Sequence, residues 1–267
     1  WDDHAGRADA LRQQRQSIFK NLSRYDLKLT PPEDLSPGDR QRWLNEVPTE
    51  VSWMVDGHPT VLRGRDLDRW KYQRYMQDYL GCVQSVDDSV GELMAWLDSN
   101  GLRENTLVLY TSDQGFFLGE HGMYDKRFMY EPSSRMPFLA RWPAGIRPGS
   151  TSEALAINCD FAPTFLELAG ARIPEDMQGR SLVPLFRGTT PTSWRTEIYY
   201  RYYHDPGHHN TRAHYGIRTA THKLIHYWKA DQWELFDLVQ DPDELRNRYA
   251  DADQAGRVDD LKARQIG

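Results

Sequence analysis

The sequence predicts an α/β fold: a sheet flanked by helices, then a smaller strand-rich region with a terminal helix. Three observations carry this. Thr106-Leu-Val-Leu-Tyr-Thr111 is an apolar run of good β-formers, too short for a helix. It reads as a strand buried on both faces, as in a parallel sheet. Ahead of it, residues 66–99 place Tyr72, Tyr75, Tyr79, Val83, Val86, Val90, Leu93 and Leu97 at steps of three and four, the period of a long amphipathic helix. Helix, glycine turn and buried strand make half of a right-handed crossover unit. Beyond about residue 190, short aromatic runs alternate with polar turns.

Taken in order, residues 1–59 are weakly periodic. A helix is expected over residues 8–24, with Leu11, Ile18, Phe19 and Leu22 on one face. Pro31, Pro32, Pro37 and Pro48 then break regular structure, so the segment is expected to lie irregularly on the surface of a larger body. The helix over 66–99 stops at Gly101. Its Asp87 and Asp88 are neighbours on a helix and point about 100° apart, which suits a solvated face better than a metal site. Residues 136–142 read as a second buried strand. Asp160 is placed to cap a helix over 162–169, with Pro163 in its first turn and Gly170 closing it. Residues 197–203, 215–218, 223–228 and 233–238 read as strands, and 255–264 as the last helix.

The chain has 267 residues, a net charge of −6 and 27% charged residues, which suits a folded domain and gives no reason to expect nucleic-acid binding. No apolar run spans a bilayer. The sequence opens Trp1-Asp2-Asp3 with no Met or signal region, so it reads as a fragment or processed piece whose compartment is not legible. Cys82 and Cys159 are expected as buried free thiols.

The chemistry concentrates in residues 105–143. Asp113 and Gln114 follow the 106–111 strand, where open α/β sheets place ligands. They offer hard oxygen donors, suited to Ca²⁺, or Mg²⁺ as the alternative, rather than Zn²⁺. Gly115 permits a tight turn. Glu120, His121, Asp125, Lys126 and Arg127 follow, and a cation beside a metal site suits an oxyanion.

The order of these residues resembles the sulfatase family of the alkaline-phosphatase-like superfamily. Its wording appears as Thr111-Ser112-Asp113-Gln114-Gly115, Gly119-Glu120-His121-Gly122, Lys126 and Met129-Tyr130-Glu131-Pro132-Ser133-Ser134-Arg135-Met136-Pro137. The form Asp-Gln-Gly-Phe-Phe-Leu-Gly-Glu-His-Gly is most similar to carbohydrate sulfatases, N-acetylglucosamine-6-sulfatase-like, that act on glycosaminoglycan or mucin sugars. Residues 158–170, Met177-Gln-Gly-Arg-Ser-Leu182 and Glu234-Leu-Phe-Asp-Leu238 extend the likeness. The resemblance implies an alkaline-phosphatase-like mixed or parallel sheet in residues 1–190 and a small antiparallel subdomain in 191–267. It assigns Asp113 and Gln114 to the metal, Lys126 to a sulfate oxygen and Arg218 to the substrate. His121 either meets a sugar hydroxyl and the leaving group or is structural. Glu131 and Arg135 are expected to pair with each other or with backbone, and His208-His209 to form an exposed loop. The implied partner is a sulfated carbohydrate or aryl sulfate, with the other half of the architecture or a second copy besides. The implied compartment is periplasmic, extracellular or lysosomal.

One departure is large. The family's C-x-P-x-R or S-x-P-x-R motif, whose Cys or Ser matures to formylglycine, is absent from the 267 residues. The chain is therefore expected to be inactive alone. Asp2-Asp3 follows no strand and is not read as the family's early metal pair. The rival readings are a phosphodiesterase or phosphonate hydrolase of the same superfamily, and a non-catalytic carbohydrate-binding relic.

Overall fold

The structure is a computed structural model that describes residues 4–266; Asp2 and Asp3 lie outside the described residues. Two one-turn helices, α1 (Asp9–Arg12) and α2 (Ile18–Asn21), replace the single helix expected over 8–24. Between them the chain is irregular, and Ser17 bridges to Met123. Residues 28–50 are largely exposed, as expected, but the stretch before them does not lie on the surface. Ala8, Ala10 and Leu11 are buried with Phe117, Met123, Phe128, Tyr130, Tyr227 and Phe236 in the main core. The hydrogen bond from the Ala8 amide to Glu234 (2.8 Å) anchors it.

Helix α3 (Pro37–Asn45) is capped by Ser36, with proline in its first turn. Strands β1 (Glu50–Val55) and β2 (His58–Arg63) then form an antiparallel hairpin. Its turn is Asp56-Gly57, both at positive φ, the geometry of the tight turns that match strand twist.

Helix α4 (Gly64–Ser99) follows. Gly101 ends it at φ +66°; the Leu102 amide bonds the Leu97 carbonyl and the Gly101 amide that of Asp98, a Schellman ending. The expected apolar face is only partly covered. Leu67, Lys71 and Leu97 are buried, while residues 81–89 are all exposed, including Val83 and Val86.

The α/β class stands, but the strand neighbours differ from expectation. Strand β3 (Val108–Thr111) pairs antiparallel with β6 (Phe138–Arg141), in a two-stranded sheet. Neither strand is buried on both faces: Tyr110 is 39% and Leu139 66% exposed. Between them lie β4 (Phe117–Leu118) with β5 (Tyr124–Asp125), and the turn α5 (Glu131–Ser134).

Helix α6 (Phe161–Leu168) and the turn α7 (Val183–Phe186) come next. Asp160 does not cap α6 with its side chain. It is fully buried and takes both Arg195 guanidinium nitrogens at 2.6 Å, plus the Ile157 and Arg180 amides. Cys82 and Cys159 are free but exposed, not buried.

Strands β7 (Glu197–Tyr202), β8 (His214–Thr219), β9 (His222–Tyr227) and β10 (Gln232–Asp237) form one antiparallel sheet in the order β10-β9-β8-β7. Helix α8 (Ala255–Ile266) packs Val258 and Leu261 on Ile217, Leu224 and Leu235. The opposite face carries Ile225, Tyr227 and Phe236 into the main core. On that face sits Lys223, wholly buried, its ammonium 2.8 Å from Glu131 and 2.7 Å from the equally buried Glu244.

Removing one partner of such a group strands the other charges in low dielectric. Lys223→Met is therefore expected to lower unfolding stability by about 3–5 kcal/mol, read from the urea midpoint. A loss below about 1 kcal/mol would show that the group behaves like a surface pair.

Candidate active site

Strand β3 delivers Ser112-Asp113-Gln114-Gly115 at its carboxyl end. The reason for Gly115 is close approach rather than turn conformation. A Cβ there would stand 2.1 Å from the Pro132 carbonyl oxygen and 2.7 Å from that of Arg135. The Gly115 amide bonds the Ser133 carbonyl at 2.8 Å. The loop after β3 is thus locked against α5, backbone to backbone. Asp113 is exposed, and its carboxylate accepts from the Ser112 hydroxyl at 3.3 Å. It forms no ion pair among the described residues. Gln114 is half-buried beside it.

An unpaired carboxylate next to an amide oxygen fits one edge of a Ca²⁺ or Mg²⁺ shell. Two donors do not complete one, since Ca²⁺ takes about six to eight oxygens. Among the described residues no group of three or more His, Cys, Asp or Glu could hold a metal ion.

Lys126 is presented by the β4–β5 hairpin, in which Phe117 opposes Asp125. The backbone here is strained: Asp125 has φ 68° and Arg127 φ 100°, conformations that non-glycine residues hold only when their surroundings enforce them. The Asp125 carboxylate supplies part of that enforcement. It meets the Arg127 guanidinium, His209 Nε2 at 3.2 Å and Lys126 Nζ at 3.4 Å. The Arg127 amide donates to Ser133 Oγ at 2.9 Å, and its carbonyl accepts from Tyr200 at 2.7 Å. Burial opposes ionisation of Asp125, but the hydrogen bonds from His209 and Arg127 outweigh it and hold the carboxyl well below the usual range. Lys126 keeps a permanent counter-ion, remains one-third exposed, and lies 5.8 Å from the centre of the Phe116 ring.

The remaining expected residues fall elsewhere. His121 is 7% exposed, at φ 55° on the hairpin tip, with its ring against Phe117 and Tyr130. It lines a cleft of about 1010 Å³ with Arg12, Lys20, Glu131 and Arg135. Arg218 holds Glu131 through two nitrogens at 3.3 and 3.1 Å. It lines a second cleft of about 450 Å³ with Thr111, Arg135 and Phe138. Asp113, Gln114 and Lys126 line neither cleft. The expected residues therefore occupy one neighbourhood around α5 without closing one pocket.

Glu131 joins the parts. Its side chain pairs with Arg218 and Lys223, not with Arg135 or backbone as expected. Burial opposes its ionisation, but the Lys223 charge and the Arg218 hydrogen bond hold its pKa down at about 2. Sequence reasoning missed Lys223, Glu244 and the His209 contact. Lys223 had a signal: it shares the phase of Ile225 and Tyr227 in β9, so alternation turns it inward. His209, half-buried on Asp125 rather than in an exposed loop, had none.

Two family models match. One, described as Sulfatase, covers residues 16–171; the other, N-sulphoglucosamine sulphohydrolase, C-terminal, covers 119–266. A curated relative, N-acetylglucosamine-6-O-sulfatase of Bacteroides thetaiotaomicron, is 44% identical over 98% of this chain and 50% of its own length. A solved structure of a protein in complex with its substrate D-glucosamine-2-N,6-O-disulfate superposes with a TM-score of 0.86 at 40% identity, over 99% of this chain and 57% of that one. Phosphonate monoester hydrolase from Silicibacter pomeroyi gives a TM-score of 0.67 at 28% identity, over 76% of this chain and 42% of that one. The chain spans about half the length of the curated relatives it matches.

The Glu131 pairing has a pH signature. Its folded pKa of about 2 lies below the ordinary 4.5, so between those values the unfolded state binds more protons and stability rises with pH. Glu131→Gln should cost at most about 3 kcal/mol above pH 4.5. The gap from wild type should shrink toward zero as pH falls to 2. A gap independent of pH in denaturant titrations would refute the assignment.

Proposed function

The chain belongs to the sulfatase family, and from that premise we propose that it forms part of a metal-dependent sulfuric ester hydrolase for sulfated carbohydrates, of the 6-O-sulfated glucosamine class. The observation that carries this is the presentation of Lys126. A strained, counter-ion-bearing hairpin holds one ammonium partly exposed, and this hairpin and the loop of the uncommitted Asp113 carboxylate are both hydrogen-bonded to Ser133. The substrate class is that of the 44% identical relative and of the ligand named for the solved structure.

In this reading Lys126 binds a sulfate oxygen as a compact point charge, with Asp125 fixing where the ammonium sits. Asp113 and Gln114 supply two oxygens to a hard divalent cation, Ca²⁺ in this reading, which when bound would neutralise the sulfate. His121, on the wall of the larger cleft, is assigned to the sugar and its leaving oxygen. Arg218 orients Glu131 and reaches the substrate only from the smaller cleft. We assign the nucleophile to polypeptide beyond these residues, carrying the C/S-x-P-x-R motif. The phosphonate hydrolase reading draws on the 28% identical structure; Gln114, where a softer transition metal favours His, speaks for the sulfate ester.

Joined to such a polypeptide, the chain should release sulfate from N-acetylglucosamine-6-sulfate, measured by ion chromatography. Lys126→Ala should lower that rate about 10²–10³-fold. Metal-dependent turnover by the 267-residue chain alone, or preference for a phosphonate ester in the assembled enzyme, would overturn the reading.

A further inference from the structure

Strand alternation gives β7 two unlike faces. Tyr200 points inward, where its hydroxyl bonds the Arg127 carbonyl behind Lys126. Tyr199 and Arg201 point outward, followed by Tyr203. Helix α8 covers part of this outer face, at Ile217, Leu224 and Leu235. It leaves the β7 side open, with Tyr199 54% and Tyr203 70% exposed.

The rings there surround one cation. The Arg201 guanidinium carbon lies 4.9 Å from the ring centre of Tyr203, 5.0 Å from Trp228 and 5.9 Å from Tyr215. Tyr215 stacks on Trp228 at 5.6 Å and meets Tyr199 at 6.1 Å. Among the described residues Arg201 forms no ion pair, whereas most of the chain's other arginines described with partners sit on carboxylates. Aromatic faces carry partial negative charge and pack against the C–H faces of sugar rings. A guanidinium resting on rings keeps its N–H donors free for a planar or tetrahedral anion. Rings and an uncommitted cation together match a chain of sugars bearing sulfates.

We propose that this outer face, at Tyr199, Arg201, Tyr203, Tyr215 and Trp228, is a second carbohydrate-binding surface. It holds a sulfated polysaccharide on the side of the sheet away from Lys126. The inference rests on reading the substrate as a sulfated carbohydrate, and it makes that substrate a polymer with one stretch held here while another is cleaved.

The test uses the full 267-residue chain, a heparin-derived octasaccharide and its desulfated counterpart, with Trp fluorescence and calorimetry. Saturable binding of the sulfated chain is expected, weakened by salt. Arg201→Gln should weaken it about tenfold. Tyr203→Ala, at a largely exposed position that tolerates truncation, should also weaken it. Arg172→Gln, at an exposed arginine paired with Glu175 and outside both surfaces, should bind as wild type does.

No binding by wild type, equal binding by Arg201→Gln, or equal affinity for the desulfated chain would overturn the proposal. So would a dimer in sedimentation that Arg201→Gln disperses, since the face would then join two copies. Hydrolysis of the monosaccharide by the assembled enzyme without Arg201-dependent binding sinks this surface alone. Arg201-dependent binding with no hydrolysis supports the surface and sinks the enzymatic reading.

Discussion

A buried ammonium between two carboxylates holds this molecule together. Lys223 reaches from the four-stranded sheet to Glu131 on α5 and to Glu244 in the loop after β10. Glu244 in turn accepts the Glu131 amide at 2.6 Å and, through its carbonyl, a hydrogen bond from Arg7. Glu234, alongside, takes the Tyr130 hydroxyl and the Ala8 amide. Three separate stretches of chain therefore meet in one polar seam inside an aromatic core. Buried charges of this kind are costly unless every partner is present, so the seam couples the sheet, the α5 turn and the N-terminal segment. The loop carrying Asp113 inherits that rigidity, because Gly115 is pressed onto α5.

Lys126 depends on the same scaffold less directly. Its hairpin runs through left-handed conformations at Asp125 and Arg127, neither of them glycine. Such strain persists where neighbours over-determine the backbone. Here the neighbours are Ser133 of α5, Tyr200 of β7 and His209 in the loop before β8. The small sheet is thus the base on which Lys126 stands.

Local patterns were legible where one period or one motif decided the outcome. The long helix, its glycine ending and the four late strands follow from spacing and turn residues. The Asp-Gln-Gly and Gly-Glu-His-Gly wording singled out the loops on which the proposed site is built. What failed did so for identifiable reasons. Alternation in Glu50–Val55 and His58–Arg63 around Asp56-Gly57 is a strong hairpin signal, hidden by the prolines before it. Residues 8–24 carry helical spacing, but Ala8 and Leu11 gain more from the core than a continuous helix would give. The apolar run at β3 was read as doubly covered, yet burial depends on what packs against a strand, which its own sequence does not contain. Glu131 was matched to Arg135 four residues away or to backbone, whereas its partners come from strands nearly ninety residues on.

Helix α4 is pinned near its start by Leu67 and Lys71, whose ammonium bonds the Phe19 carbonyl, and at its end by Leu97. Its middle has no such support, and Gly81 and Gly91 flank it, each a weak helix former. Ordinary helices fray from their tips. This one is fastened at both extremities, so its exposed middle is the stretch whose order rests on the helix's own hydrogen bonds alone.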